Sequence, residues 1–329
     1  MMNFRDLVRL LGDGEYRSGE ELGERLGVSR TAIWKQLKKL EGLGVTLEAV
    51  RGRGYRVSPP IELLDGSEIV GKLPHAARRR LARLFVEMQL DSTNSFLLNR
   101  FSQGAGHAEV CFAEQQTSGR GRRGRRWETP LGGGLTFSLG WRFDSPAAHL
   151  QGLSLSVGVV IAQALASQGV DIELKWPNDL LLRRGDGELA KLGGVLIELQ
   201  GDAEGPCEVV IGIGLNVLCA PKLEGGKGLP SGCLGEVNRG LSRNAVAAVL
   251  IEHLTAMLER FGSEGFEPWR SRWNQLHALS GCAVNVTLGE GGYLATALDV
   301  DSNGNLRVRE GDTIRTLAGG EITLRPLSD

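Results

Sequence analysis

Apolar residues recur at helical spacing at Phe4, Leu7, Val8 and Leu11, which predicts an opening helix buried along one face. Ser18 with Glu21 predicts a capping box at the start of a second helix, whose apolar stripe continues through Leu22 and Leu26. Gly27-Val28-Ser29 makes a tight turn, with Ser29 placed to cap a third helix. There Ile33, Leu37 and Leu40 share the inner face, leaving Arg30, Thr31, Trp34, Lys35 and Lys38 outward. The pattern then switches to alternation over 45–50 and 55–57, two short strands joined by the basic tip Arg51-Gly52-Arg53-Gly54. Pro59-Pro60 closes this segment.

Strands and helices alternate after that. Residues 147–168 read as one helix, with Leu153, Val157, Val160, Ile161, Ala164 and Leu165 on its apolar side. Residues 244–261 read as another, built on Val246, Val249, Leu250, Leu254 and Leu258. The stretches 109–113, 172–175, 180–182, 194–199 and 209–217 are strand-like, with hairpin signals at Gly185-Asp186-Gly187 and around Gly201. Lys191-Leu192-Gly193-Gly194 reads as a turn. The last stretch alternates at 284–288, 293–300, 306–308 and 314–317, with Asn303-Gly304 as a hairpin turn.

The chain thus divides into 1–62, 63–273 and 274–329. The first part reads as a winged helix-turn-helix, the second as an α+β domain with a mostly antiparallel mixed sheet, and the third fits a small SH3-like β-barrel. Three helices could also form a protein-interaction module, the lesser alternative. The outward cations of the third helix, with Arg51 and Arg53 at the wing tip, favour DNA: they suit a groove and its phosphates.

Charge supports that division. Residues 1–60 hold eleven Lys/Arg against eight Asp/Glu, net +3, whereas the remainder holds 27 against 31, net −4. A basic segment on an acidic body suits an anionic polymer. No run of about 18 apolar residues suggests a membrane span, and the first residues carry scattered charges rather than a signal-like apolar core. The five cysteines, at 111, 207, 219, 233 and 282, have no CxxC spacing, so neither a disulfide framework nor a zinc site is expected, and the cytoplasm is the expected compartment.

The densest chemistry lies in Gly119-Arg120-Gly121-Arg122-Arg123-Gly124-Arg125-Arg126-Trp127. Glycine lets a backbone approach a ligand closely, and arginine presents a planar fork of donors to carboxylate or phosphate oxygens. The string also fits the dinucleotide-binding pattern GxGxxG. That fingerprint needs a helix opening inside it, and Arg125-Arg126-Trp127, Pro130 and Gly132-Gly133-Gly134 carry no helical apolar stripe. Alone, such a run would be a solvated basic loop. No Walker A string occurs, so ATP chemistry would need another phosphate site.

The loop keeps particular company: Asp91-Ser92-Thr93-Asn94, Glu114-Gln115-Gln116, Lys175-Trp176-Pro177-Asn178-Asp179, Lys191-Leu192-Gly193-Gly194 and Gly212-Ile213-Gly214-Leu215-Asn216. In this order and spacing the chain resembles the biotin–protein ligases over essentially its whole length, in the bifunctional form that is also a biotin operon repressor. The resemblance implies ATP-dependent formation of biotinyl-5′-AMP and transfer of biotin to a lysine of a carrier protein. It places Ser92, Thr93 and Asn94 at the ureido end of biotin and Gln116 beside the activated carboxyl. Arg120, Gly121 and Arg122 close over carboxylate and phosphate, and Lys191 meets both as a point charge. Gly194 lets a strand approach the ligand, Asn216 positions ATP phosphate or metal, and Asp179 orients or deprotonates the acceptor lysine. Trp127 and Trp176 read as packing residues.

The implied co-substrate is ATP with Mg²⁺ on its phosphates, and the implied partners are the biotin carboxyl carrier protein of acetyl-CoA carboxylase, operator DNA of biotin synthesis genes and a second copy of the chain once the adenylate is bound. Two loops, 119–126 and 218–232, look too glycine-rich to be ordered when empty. The second has no aromatic residue, so adenine would pack on aliphatic side chains such as Leu223 or Leu229. Two rivals share features: a lipoate–protein ligase, and a transcription factor whose central domain only senses a metabolite.

Overall fold

The computed structural model describes residues 4–201, 205–221, 228–288, 291–319 and 322–326. Helices α1 (Phe4–Gly12), α2 (Gly19–Leu26) and α3 (Arg30–Gly42) precede an antiparallel hairpin, β1 (Leu47–Val50) and β2 (Gly54–Val57). The hydroxyls of Ser18 and Ser29 accept from the Glu21 and Ala32 amides and start α2 and α3. Only the serine half of the capping box is present, because the Glu21 carboxylate pairs with Arg25 at 3.0 Å. Gly54 is required at the wing: a Cβ there would lie 2.1 Å from the Arg17 carbonyl oxygen, since β2 also bridges Arg17 through Tyr55.

This head is docked rather than tethered. Its core of Leu7, Leu11, Leu22, Ile33 and Leu40 runs on into Leu63 and Leu131. Residues 62–65 are gripped from two sides. Arg5 of α1 donates to the Leu64 carbonyl, and Arg9 pairs with Asp65 at 2.5 Å. Opposite them, Arg243 donates to the Glu62 carbonyl at 2.6 Å, and Glu114 accepts from the Leu64 amide at 2.5 Å. Arg243 and Glu114 pair at 2.8 Å in full burial. Desolvating such a pair is costly, and the further bonds each makes are what offset it.

The middle of the chain forms α4 (Gly66–Lys72), α5 (His75–Arg80), β3 (Arg83–Leu90), α6 (Thr93–Ser102), β4 (Glu109–Gln116), β5 (Gly134–Phe143), α7 (Leu153–Ala166), β6 (Glu173–Lys175), β7 (Asp179–Arg183), β8 (Leu189–Gly201), β9 (Cys207–Asn216), α8 (Arg243–Glu264) and α9 (Glu267–Leu276). The seven strands lie in the order β3-β4-β5-β9-β8-β7-β6, with only β3 and β4 parallel. A mixed, mostly antiparallel sheet is therefore present. Helix α7 starts later than the pattern suggests, because Gly152 adopts φ +76° and separates it from a 3-10 turn at 147–150. It is buried nearly all round, between the sheet and helices α8 and α9. The stretch Ala147–Ala166 has mean hydropathy 1.4 and enough length to cross a membrane, yet it is mostly buried as a core helix.

Lys191-Leu192-Gly193-Gly194 is not a turn. It lies inside β8, where Leu180 faces Gly193 and Leu181 faces Lys191, leaving Leu192 as the extra residue of a bulge. Helix α9 runs through 273 to Leu276. Beyond it β10 (Ala283–Leu288), β11 (Gly291–Val300), β12 (Leu306–Glu310), β13 (Thr313–Leu317) and β14 (Ile322–Pro326) form an antiparallel sheet in the order β13-β12-β11-β10-β14. Its fifth strand has no counterpart in the sequence reading. The Trp176 indole N–H donates to the Gly304 carbonyl at 3.0 Å and ties this sheet to the centre.

Candidate active site

Alternation along three adjacent strands builds the site. On β5, Leu135, Phe137 and Leu139 face the core while Thr136 and Ser138 face the other way; on β9, Ile211, Ile213 and Leu215 face the core while Gly212, Gly214 and Asn216 do not. Thr136 pairs with Gly214, Ser138 with Gly212, and Gly194 of β8 with Gly214. One face of the sheet is thus stripped of bulk. The space is used at once: a Cβ on Gly212 would lie 2.3 Å from Asn94 Oδ1, and one on Gly214 2.3 Å from the Trp127 ring.

The N-terminus of α6 delivers the Ser-Thr-Asn triplet to this face. The Ser92 hydroxyl caps the helix by accepting from the Ser95 amide. Gln116 Oε1, at the end of β4, accepts from the Thr93 amide at 2.8 Å and its hydroxyl at 3.1 Å. The Ser138 hydroxyl lies 2.7 Å from Thr93 Oγ1 and 2.5 Å from Asn94 Oδ1. Asn94 Nδ2 donates to Glu198 at 2.6 Å. All three side chains are buried, so they form a rigid polar floor.

The arginine loop folds back on itself. The Gly121 amide donates to the Arg125 carbonyl at 2.7 Å and the Trp127 amide to the Gly119 carbonyl at 2.9 Å, around a 3-10 turn at Arg122–Gly124. Arg120 reaches Glu198 at 3.1 Å and Ser95 at 3.0 Å, so it is anchored to β8 and α6. Arg122 donates to Asn178 Oδ1 at 3.3 Å. Burial, with Arg123 and Arg125 close by, pushes the Arg122 guanidinium below its ordinary value despite Asp179. A nearby anion would relieve that.

Lys191 Nζ pairs with Asp179 Oδ1 at 2.5 Å, and Lys175 Nζ with Asp179 Oδ2 at 3.3 Å. Burial would raise the Asp179 carboxyl, but the two lysines outweigh it and hold it below the ordinary carboxylate range. The two ion pairs set Asp179 to orient Lys191. Gly194 brings its backbone against this corner: a Cβ there would lie 3.3 Å from the Asn178 carbonyl. Asn216 is buried, donates to the Gly232 carbonyl at 3.0 Å, and leaves Oδ1 without a partner among the described residues.

The structure therefore brings together Ser92, Thr93, Asn94, Gln116, Arg120, Gly121, Arg122, Asp179, Lys191, Gly194 and Asn216 along one sheet face. Sequence reasoning passed over Asn178, Ser138 and Glu198; Trp127, read as packing, does lie against Gly214, and its buried indole N–H has no partner among the described residues. The signal was available: small or polar residues at every second position of 134–138 and 212–216 mark a face that packs no core. Leu229 is half-buried, and Leu223 lies outside the described residues. On the head, Arg30, Thr31, Trp34, Lys35 and Lys38 are exposed on α3, and Arg51 and Arg53 at the wing, where Arg53 stacks 4.2 Å over Tyr16.

A model of the biotin/lipoate A/B protein ligase family matches residues 85–216, an HTH domain model residues 4–56, and a biotin protein ligase C-terminal domain model residues 279–325. The bifunctional ligase/repressor BirA of Escherichia coli is 38% identical over 97% of this chain and 96% of its own. The chain belongs to the bifunctional biotin ligase/repressor family. The biotin–[acetyl-CoA-carboxylase] ligase of Mycobacterium tuberculosis is 32% identical over 73% of this chain and 88% of its own. Among solved structures, the Aquifex aeolicus biotin protein ligase in complex with biotin and ATP superposes with a TM-score of 0.62 at 25% identity, covering 75% of this chain and 100% of that one. That all three segments match is what a bifunctional ligase/repressor requires: an HTH head, a ligase centre and the C-terminal domain of the same family.

Proposed function

We propose that this chain activates biotin with ATP, transfers it to a lysine of a biotin carboxyl carrier protein, and carries the liganded state to operator DNA through its head. The observation that carries the reading is the convergence of six separated sequence clusters on one glycine-bared sheet face. In the first step the biotin carboxylate attacks the α-phosphorus, biotinyl-5′-AMP forms and pyrophosphate leaves. In the second the acceptor amine attacks the acyl carbon and AMP leaves. Both steps build charge on oxygen, so fixed cations are the catalysts needed.

Lys191, aimed by Asp179, meets the carboxylate and the α-phosphoryl oxygen. Arg120 and Arg122 close over them, with the Gly121 backbone allowing the approach. Ser92, Thr93 and Asn94 take the ureido end, and Gln116, already accepting from Thr93, holds that floor against the carboxyl end. Asn216 faces the phosphates. Mg²⁺ would arrive on ATP and neutralise phosphate charge, and Asn216 Oδ1, which has no partner among the described residues, fits beside such an ion.

The rest of the reading follows from that. Residues 1–62, 63–273 and 274–329 act as head, ligase and a C-terminal part read as an SH3-like barrel, with α9 straddling the second boundary. Helix-turn-helix heads read paired half-sites, so a homodimer forms when the adenylate is bound. The compartment is the cytoplasm, where carrier and operator are found. Pyrophosphate release from ATP tests the chemistry. Biotin should support it, and lipoate or no acid should not. Release with lipoate alone would make this a lipoate ligase, and no release with any acid a sensor.

A further inference from the structure

Lys191 sits on a strand edge that β9 does not reach. Pairing of β8 with β9 begins only at Gly193, opposite Leu215. Upstream of the Leu192 bulge, the free edge of β8 is taken instead by residues 230–232. The Lys191 amide donates to the Pro230 carbonyl at 2.7 Å, and the Gly232 amide to the Lys191 carbonyl at 2.9 Å, a parallel bridge of Lys191 with Ser231. The backbone under the proposed catalytic cation is thus held on one side by β7 and on the other by a short irregular segment.

Something must hold that segment. Asn216 Nδ2 donates to the Gly232 carbonyl at 3.0 Å, and the Gly235 amide to the Val217 carbonyl at 2.7 Å. The third hold comes from Arg184, in the β7–β8 hairpin. Its guanidinium donates to the Ser231 carbonyl at 3.2 Å and forks onto Glu236, Nε to Oε2 at 2.8 Å and Nη2 to Oε1 at 3.2 Å. Glu236 in turn accepts from the Cys233 amide at 3.0 Å. The packing is close: a Cβ on Gly232 would lie 2.8 Å from Ala190 Cβ and 3.3 Å from Glu236 Oε1.

We propose that the Arg184–Glu236 clamp is a positioning device for adenylation: by pinning residues 231–236 it completes the edge of β8 at Lys191 and fixes where the ammonium points. The inference rests on the ligase reading for its consequence, though not for its geometry. The guanidinium also pairs with Glu188 within its own hairpin, and a planar fork that holds two carboxylates and one carbonyl together suits arginine and not lysine. An exposed surface pair would matter little. Here Arg184 is half-buried and bonded to the backbone that it braces, although Glu236 itself is exposed.

The test uses the full-length Arg184→Gln and Glu236→Gln proteins and their double variant. Hydrogen exchange at the Lys191 and Gly232 amides should speed up in all three. The turnover number for pyrophosphate release should fall about tenfold in each single variant, and the double variant should be no worse, because the two residues act as one unit. Biotin affinity without ATP should stay within about twofold, a split that general destabilisation would not give. If Arg184→Gln does not fold, Arg184→Lys, which keeps the charge and loses the fork, is measured the same way. Unchanged exchange, or biotin affinity falling in step with turnover, overturns the clamp. A parent protein that releases no pyrophosphate with biotin overturns the ligase reading, and the exchange data still decide the clamp.

Discussion

Lys191 shares the Asp179 carboxylate with Lys175, so removing it leaves a buried anion with one partner. Lys191→Ala should slow pyrophosphate release by at least about a hundredfold, because the cation beside the reacting phosphorus is lost. The ion pair gives the lysine a packing duty that a turn would not have. A loss of about 1–2 kcal/mol in urea unfolding is therefore expected as well. Intact catalysis with a large stability loss would make Lys191 structural. The Asp179 carboxyl is held low in the fold, so its stabilising contribution is complete above the ordinary carboxylate range and is lost as pH falls through the depressed folded value. Asp179→Asn should therefore flatten the acid limb of stability below about pH 4, read by melting temperature against pH. Arg122→Gly removes a half-buried donor at the loop centre. The adenylate off-rate by stopped flow should rise at least about tenfold, and an unchanged rate would take Arg122 out of the site. The residues of this site were legible because each sits in a short string with few other uses. Their partners were not: Glu198 joins Arg120 and Asn94 only through sheet register, which one strand's sequence does not show.

Among the elements, the head helices were readable down to their serine caps, because periodicity and capping are local. The Lys-Leu-Gly-Gly stretch was misread because paired glycines ordinarily punctuate a chain, whereas here β7 and β9 hold them extended around a bulge. Helix α6 was not anticipated: its start is a functional triplet, and its apolar residues Leu97 and Phe101 form too short a stripe to stand out. The seam between α9 and the C-terminal sheet carries a further prediction. His277 is buried, lies tilted against the Trp273 ring, and has its Nδ1 3.2 Å from the Leu298 carbonyl while Nε2 has no partner among the described residues. Burial pulls its value down to about 4. Between that value and about 6.5 the unfolded chain binds the proton and the folded one does not, so stability should drop as pH falls across this window. The full effect approaches about 3 kcal/mol, and His277→Gln should flatten the slope of unfolding free energy against pH. An unchanged slope would place the titrating group elsewhere.

For the whole molecule, Pro59-Pro60 looked like the end of a separable head, yet α1 and the ligase centre grip residues 62–65 from both sides and share Leu63 and Leu131. Deleting residues 1–60 should abolish DNA mobility shifts, lower the melting temperature and leave pyrophosphate release reduced but present; a wholly unfolded truncation would mean the ligase cannot stand without its head. Adenylate binding should favour the dimer, which sedimentation with and without biotinyl-AMP would show, and added carrier protein should compete if both use one face. Transfer to the carrier joins every part of the proposed chemistry. The direct measurement is the intact mass of apo biotin carboxyl carrier protein after incubation with the full-length chain and ATP, with biotin or lipoate, beside the Lys191→Ala protein. The expected result is one biotinyl group on one carrier lysine with the parent chain and biotin, and almost none with lipoate or with Lys191→Ala. An unmodified carrier, or equal labelling by lipoate, would contradict the assignment.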